Sequence, residues 1–178
     1  MSSSNNKIYC GIVYRTKNFA AQCRENPEGE YLYQAFREYW DCGFSPSIGK
    51  DVLFARPDEA MKLHIRHAHT DSGDYEPEDS DKHHSAKEST WLKWRNGFIF
   101  RVPTSNSYLI YAVNENRDAL VMDYIDRDAH SVTESAQYMD QYIEITYSFL
   151  AFTKCKEMPY DEDVYHEKWL LTNQDTTD

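Results

Sequence analysis

No run in this sequence approaches the roughly 18 consecutive apolar residues that span a bilayer, so no membrane partner is expected. The opening residues, MSSSNNK, lack the apolar core of an export signal, and a cytoplasmic protein is the expectation. The four cysteines (Cys10, Cys23, Cys42 and Cys155) form no C-x-x-C pair; without an export signal they read as reduced, partly buried thiols rather than disulfides. A glycine-rich phosphate loop, a nucleophile elbow and a coiled-coil repeat are all missing. His67 with His69, and His83 with His84, could offer nitrogen to a metal, but no carboxylate-plus-histidine word such as H-E-x-x-H accompanies them. Neither a metal nor an organic cofactor is expected.

Positive charge is also scarce. Lys and Arg number 19 against 30 Asp and Glu, a net charge of −11. Non-specific nucleic-acid affinity grows with the number of phosphates neutralised, so the chain as a whole is a poor non-specific binder, with no direct DNA partner expected. The acidity is concentrated, however. Residues 71–90 hold seven acids and two bases, residues 157–178 seven acids and one base, and the remainder is balanced. This predicts one domain over residues 1–156 with an exposed, mobile acidic insertion at 71–90, then an acidic tail over 157–178. A balanced body can still carry a local basic site.

What is present is a globular pattern, 40% hydrophobic and 15% aromatic. Residues 7–14, rich in β-formers, read as a first strand. Asn26 and Pro27 suit the cap and first position of a helix. Leu32, Ala35, Phe36, Tyr39 and Trp40 then form one apolar stripe, and Gly43 is placed to end the helix. Residues 45–50 read as a loop or a short turn of helix. A strand pattern resumes at Trp91 and covers 95–101, 108–113 and 119–125, with polar turns between. Ser131 and Glu134 have the spacing of a capping box ahead of a last helix, and a short helix fits 164–171. The order predicts an α+β fold, an antiparallel sheet covered by helices on one face.

The densest chemistry lies in residues 61–70, MKLHIRHAHT, which hold three of the seven histidines. As a strand of period two, this stretch sends Leu63, Ile65, His67 and His69 to one face and Lys62, His64 and Arg66 to the other.

Four words in order carry a resemblance: Phe36-x-x-x-Trp40-x-x-Gly43 with Pro46 and Ile48-Gly49-Lys50-Asp51; His67-x-His69; Thr104-Ser105 before Leu109-Ile110-Tyr111; and Asp128-Ala129-His130 ahead of the final helix. Over roughly residues 31–152 the chain resembles the YafO family of toxins, in the RelE-like group of type II toxin–antitoxin systems. That resemblance implies a RelE-type, barnase-like fold and cleavage of mRNA on the translating ribosome. Its implied partners are the ribosome, mRNA and a neutralising antitoxin protein.

Such cleavage, by attack of a 2′-hydroxyl on the adjacent phosphate, needs a base, an acid and donors for the charged phosphorane. Histidine suits the first two roles because it titrates near neutrality, and arginine's planar fork suits the phosphate. The candidate catalytic residues are therefore His67, His69 and His130. Arg66, Arg95, Arg101, Thr104 and Ser105 are the candidate substrate contacts. The alternative function is a non-catalytic acidic protein on the same fold, binding a basic partner or mimicking nucleic-acid charge.

Overall fold

The computed structural model describes residues 8–81 and 84–172. The chain enters through β1 (Val13–Arg15) and α1 (Lys17–Glu25), where the Thr16 hydroxyl accepts from the Phe19 amide at 3.0 Å. The second helix, α2 (Pro27–Cys42), forms as its sequence signals require. The Asn26 side chain caps it, Pro27 opens it, and Gly43 closes it in the left-handed conformation at φ 78°. Then come β2 (Ile48–Leu53), α3 (Asp58–Lys62), β3 (Ile65–Thr70), α4 (Glu88–Arg95), β4 (Tyr108–Val113), β5 (Ala119–Ile125), α5 (Ala129–Thr133) and α6 (Ala136–Thr153).

The class is α+β, and the five strands lie in the order β1-β5-β4-β3-β2. Two expectations about the sheet are corrected. It is mixed, because β1 joins the edge parallel to β5 while the other pairs are antiparallel. Helices also cover both faces. On one side Phe19, Leu32, Phe36 and Trp40 of α1 and α2 meet Leu109, Tyr111, Val113 and Val121. On the other, Leu63, Ala129, Met139, Tyr142 and Phe149 meet Ile65, Tyr108, Ile110, Ala112 and Met122. Apart from Asp123, which accepts from the Tyr142 hydroxyl, both sets of alternate residues in β4 and β5 are apolar, so neither sheet face could be left to water.

Local readings shift as well. Residues 48–53 form a strand rather than a loop. Gly49 is small because β2 runs close to a neighbouring segment: an added Cβ would lie 2.4 Å from the Pro103 carbonyl and 2.9 Å from the Trp91 ring. The stretch from Trp91 to Arg95 is helical, not extended. Its β-forming composition is overridden by the i, i+3 placement of Trp91 and Trp94, both buried. The Trp94 indole donates to the Ile48 carbonyl at 2.9 Å and the Trp91 indole to that of Thr104 at 3.1 Å. Ser131 falls inside α5, and Ser135 precedes α6 instead. The first strand is also shorter than expected, and β3 starts only at Ile65, after α3 and a left-handed His64.

Both acidic segments are tied to the body. From 71–90, the Ser85 carbonyl accepts from the Thr104 amide at 2.8 Å, the Asp71 amide donates to the Ser47 carbonyl at 3.1 Å, and the Asp71 carboxylate pairs with Arg95 at 3.5 Å. Residues 157–172 return across the α1–α2 side, burying Met158 and Val164 in its core. Their anchor is Arg117, fully buried, whose guanidinium donates to the carbonyls of Cys10, Trp40 and Val164 and lies 4.1 Å from the centre of the Trp40 ring. The buried charge is thus satisfied by carbonyl dipoles and aromatic faces.

Replacing Arg117 with Met should lower unfolding free energy by about 3 kcal/mol, because three buried carbonyls lose their donor together. Urea denaturation measures this, and a loss below about 1 kcal/mol would contradict the anchoring role.

Candidate functional site

Alternation along β3 sorts its polar residues. His67 lies opposite Val52 of β2 and Ile110 of β4, and His69 lies opposite Tyr108, all directed to the α6 side. Arg66 points the other way. Its Nε donates to Asp51 Oδ1 and to the Tyr111 hydroxyl, each at 3.0 Å. Its remaining neighbour is His64, whose Nε2 lies 3.2 Å from Nη1. A guanidinium has no acceptor, so Nε2 accepts and the His64 Nδ1–H donates to the Pro159 carbonyl at 3.1 Å. Arg66 and His64 therefore belong to the far face, and Arg66 is corrected from substrate contact to structural ion pair.

On the near face the rings form a row. His67 sits between Phe54 and Tyr108, 4.4 Å from each centroid, with His69 5.4 Å beyond it. The His69 Nδ1 is 2.7 Å from the Ser105 carbonyl and 2.9 Å from its amide, and one tautomer satisfies only one of these. With Nδ1–H donating to the carbonyl, Nε2 keeps a lone pair facing outward from that bond. His130 arrives from α5. Its amide donates to the Asn106 side chain at 2.9 Å, and its Nδ1 lies 2.7 Å from the Tyr108 hydroxyl. Burial pushes the Tyr108 phenol up to about 12, so Tyr108 keeps its proton and donates to the His130 Nδ1, which leaves the ring proton of His130 on Nε2.

A cleft of about 570 Å³ opens over this row, walled by Lys50, Val52, Glu76, Thr104, Ser105 and Asn106 around the three rings. It adjoins a second hollow of about 700 Å³ beyond His67, Tyr108 and His130, rimmed by Arg56, Glu134 and Asp140. Five sequence candidates meet here: His67, His69, His130, Thr104 and Ser105. Arg95 and Arg101 do not line the cleft. Arg95 is paired with Asp71 at 3.5 Å, and Arg101 lies on a separate surface beside Phe98 and Phe100. Sequence reasoning passed over Lys50, Asn106 and Tyr108. Tyr108 shares its alternation with Ile110, and Lys50 belongs to the Gly-Lys-Asp word, so both carried a signal.

Burial dominates the electrostatics. It lowers His67 to about 3, helped by the charges of His69 and His130, and lowers His69 to about 4 against the pull of the Ser105 carbonyl. The His67 Nδ1 is buried without a hydrogen-bond partner among the described residues. His67 and His69 therefore favour the neutral form, in a cleft whose wall carries both Lys50 and Glu76. An entering anion would favour their protonation. Among the described residues no group of three or more His, Cys, Asp or Glu side chains is placed to hold a metal. His83 lies outside the described residues. Among them, too, no helix is long and apolar enough to cross a membrane.

The family model for toxin YafO of type II toxin–antitoxin systems matches residues 37–151, which spans β2 through most of α6 and includes every cleft residue named above. No curated protein and no solved structure matches the chain.

The histidine shifts fix a pH dependence. Because His67, His69 and His64 bind protons less readily in the fold than the usual value of 6.5, the unfolded chain takes up protons first as pH falls. Stability from this source is complete above pH 6.5 and declines as pH falls towards 4. His67→Phe should flatten that decline and raise stability at pH 7 by about 1 kcal/mol, by removing an unpartnered nitrogen. Urea midpoints across pH 4.5–7.5 test both effects.

Proposed function

The chain belongs to the YafO toxin family of type II toxin–antitoxin systems, and from that premise we propose that it cleaves mRNA on the translating ribosome. The observation that carries the reading is the convergence of His67, His69, Tyr108 and His130 beside Lys50 in one cleft. In the reaction, His69 Nε2 takes the proton from the 2′-hydroxyl, whose oxygen attacks the neighbouring phosphorus. The bond to the 5′-oxygen breaks, and His130 Nε2 supplies the proton that this oxygen needs to leave. The products are a 2′,3′-cyclic phosphate and a free 5′-hydroxyl. Lys50 offsets the additional negative charge of the phosphorane, with Thr104, Ser105 and Asn106 as neighbouring donors.

His67 and Tyr108 are positioning residues. Tyr108 fixes the His130 tautomer through its 2.7 Å bond, and His67 fills the slot between Phe54 and Tyr108. The phosphate itself completes the site electrostatically. Burial disfavours the imidazolium at His67 and His69, whereas a dianionic phosphorane within contact favours it, so proton uptake in the cleft accompanies substrate. Whole-chain acidity also suits a toxin that relies on the ribosome for its substrate instead of binding free RNA by charge. The acidic-adaptor reading gives the imidazoles in the cleft no task.

Purified toxin on ribosomes translating a defined message should leave 5′-hydroxyl ends. His69→Ala and His130→Ala should each slow cleavage by about 10²–10⁴-fold. A 2′-deoxy substitution at the scissile nucleotide should block it. Undiminished cleavage of the deoxy substrate would rule out the proposed attack, and absence of any cleavage by the wild-type protein would favour the adaptor.

A further inference from the structure

Away from the cleft, the end of α4 presents large side chains to water. Phe100 is 96% exposed, Ile99 64%, Phe98 56% and Leu92 54%, with Val102 close by at 41%. Four of these five side chains fall within the single run 98–102, and Phe98 and Phe100 line one hollow, an apolar concentration of the kind that soluble monomers seldom leave uncovered. It is also held in shape by its own backbone. Gly97 adopts φ 79°, its amide donates to the Trp94 carbonyl at 2.9 Å, and the Phe98 amide donates to that of Lys93 at 2.9 Å. That is the closing pattern of a helix in which the residue after the glycine usually folds back onto the last turn. Here Phe98 remains exposed instead.

We propose that residues 97–102, with Leu92, form the docking surface for the antitoxin, through a segment whose large apolar side chains are flanked by carboxylates. A toxin of this family has such a partner, and three features assign it to this surface. The first is charge: Lys93 and Arg101 line the hollow between Phe98 and Phe100, a local basic site on a chain of net charge −11. The second is composition. Ile99, Val102 and Leu92 are aliphatic and gain most from burial against protein, whereas single-stranded RNA is held by stacked aromatics with many cations. The third is position. The loop runs directly into Pro103, Thr104 and Ser105, and Ser105 is the residue that touches His69. A protein seated on residues 97–102 adjoins the cleft wall through the chain itself and uses no catalytic group.

The test is co-expression of Phe98→Ser/Phe100→Ser and, separately, Lys93→Glu/Arg101→Glu with the antitoxin encoded beside the toxin gene. Growth, co-purification and ribosome co-sedimentation are the readouts. Because these side chains are exposed, the variants should fold, and an unchanged urea midpoint checks that. The expected result is toxin that still arrests growth, still sediments with ribosomes, and loses at least tenfold in antitoxin affinity and in protection. If both variants are bound and neutralised like wild type, the assignment is wrong. If they bind antitoxin normally but lose ribosome association, the surface serves RNA or the ribosome instead. Growth arrest reports toxicity by whatever chemistry, so this outcome is independent of whether the proposed RNA cleavage holds.

Discussion

The Arg66–Asp51 pair fixes which side of the sheet every other polar group of β3 occupies. Asp51 receives the Arg66 guanidinium, the Tyr111 hydroxyl at 2.6 Å and the Tyr39 hydroxyl at 3.0 Å. Burial, and then the charge of Asp51, push both phenols far above their usual range, so each remains a donor. Four elements are thereby joined at one carboxylate: α2, β2, β3 and β4. A slip of one residue in β3 would carry Arg66 into the cleft and His67 into the α2 core. Such a slip would bury an unpaired guanidinium or carboxylate, which makes the register costly to lose. Two neighbouring residues thus have opposite duties, one holding the sheet together and the other lining its cleft.

The cleft's own arrangement works against stability. Three imidazoles crowd a partly dry row of aromatic rings, one with a nitrogen left unpaired. Among the described residues no carboxylate is hydrogen-bonded to any of the three, although Glu76 shares the cleft wall, and Lys50 adds to the repulsion of any proton that His67 or His69 takes up. Strain of this electrostatic kind is relieved by an anion, which is what a phosphodiester backbone brings.

Much of this was legible in the sequence where local signals agree with tertiary demand. The cap, stripe and glycine of α2 needed no long-range information. Nor did β4 and β5, whose bounds follow from β-forming runs between polar turns. The shared face of His67 and His69 followed from period two alone. Arg66 was misplaced because its partner lies 15 residues earlier, and a basic residue beside histidines looks like part of the same site. Residues 91–95 were misread because tryptophan favours strands on average, whereas here the helix brings both indole N–H groups to distant carbonyl acceptors, those of Thr104 and Ile48. Parallel pairing of β1 was not readable, since it depends on where α1 and α2 return the chain. The second apolar face of the sheet was readable in β4, where every residue is buried, but alternation was not expected to fail there.

The anchoring of Arg117 has a consequence for synthesis. Its acceptor at Val164 lies 47 residues further along the chain, so during translation the guanidinium waits for a partner that has not yet been made. At about 5–20 residues per second, that interval is roughly 2–10 s. Until then Met158 and Val164 are missing from the α1–α2 core, and the nascent cleft, whose last residues are made before Met158, rests on an unfinished support.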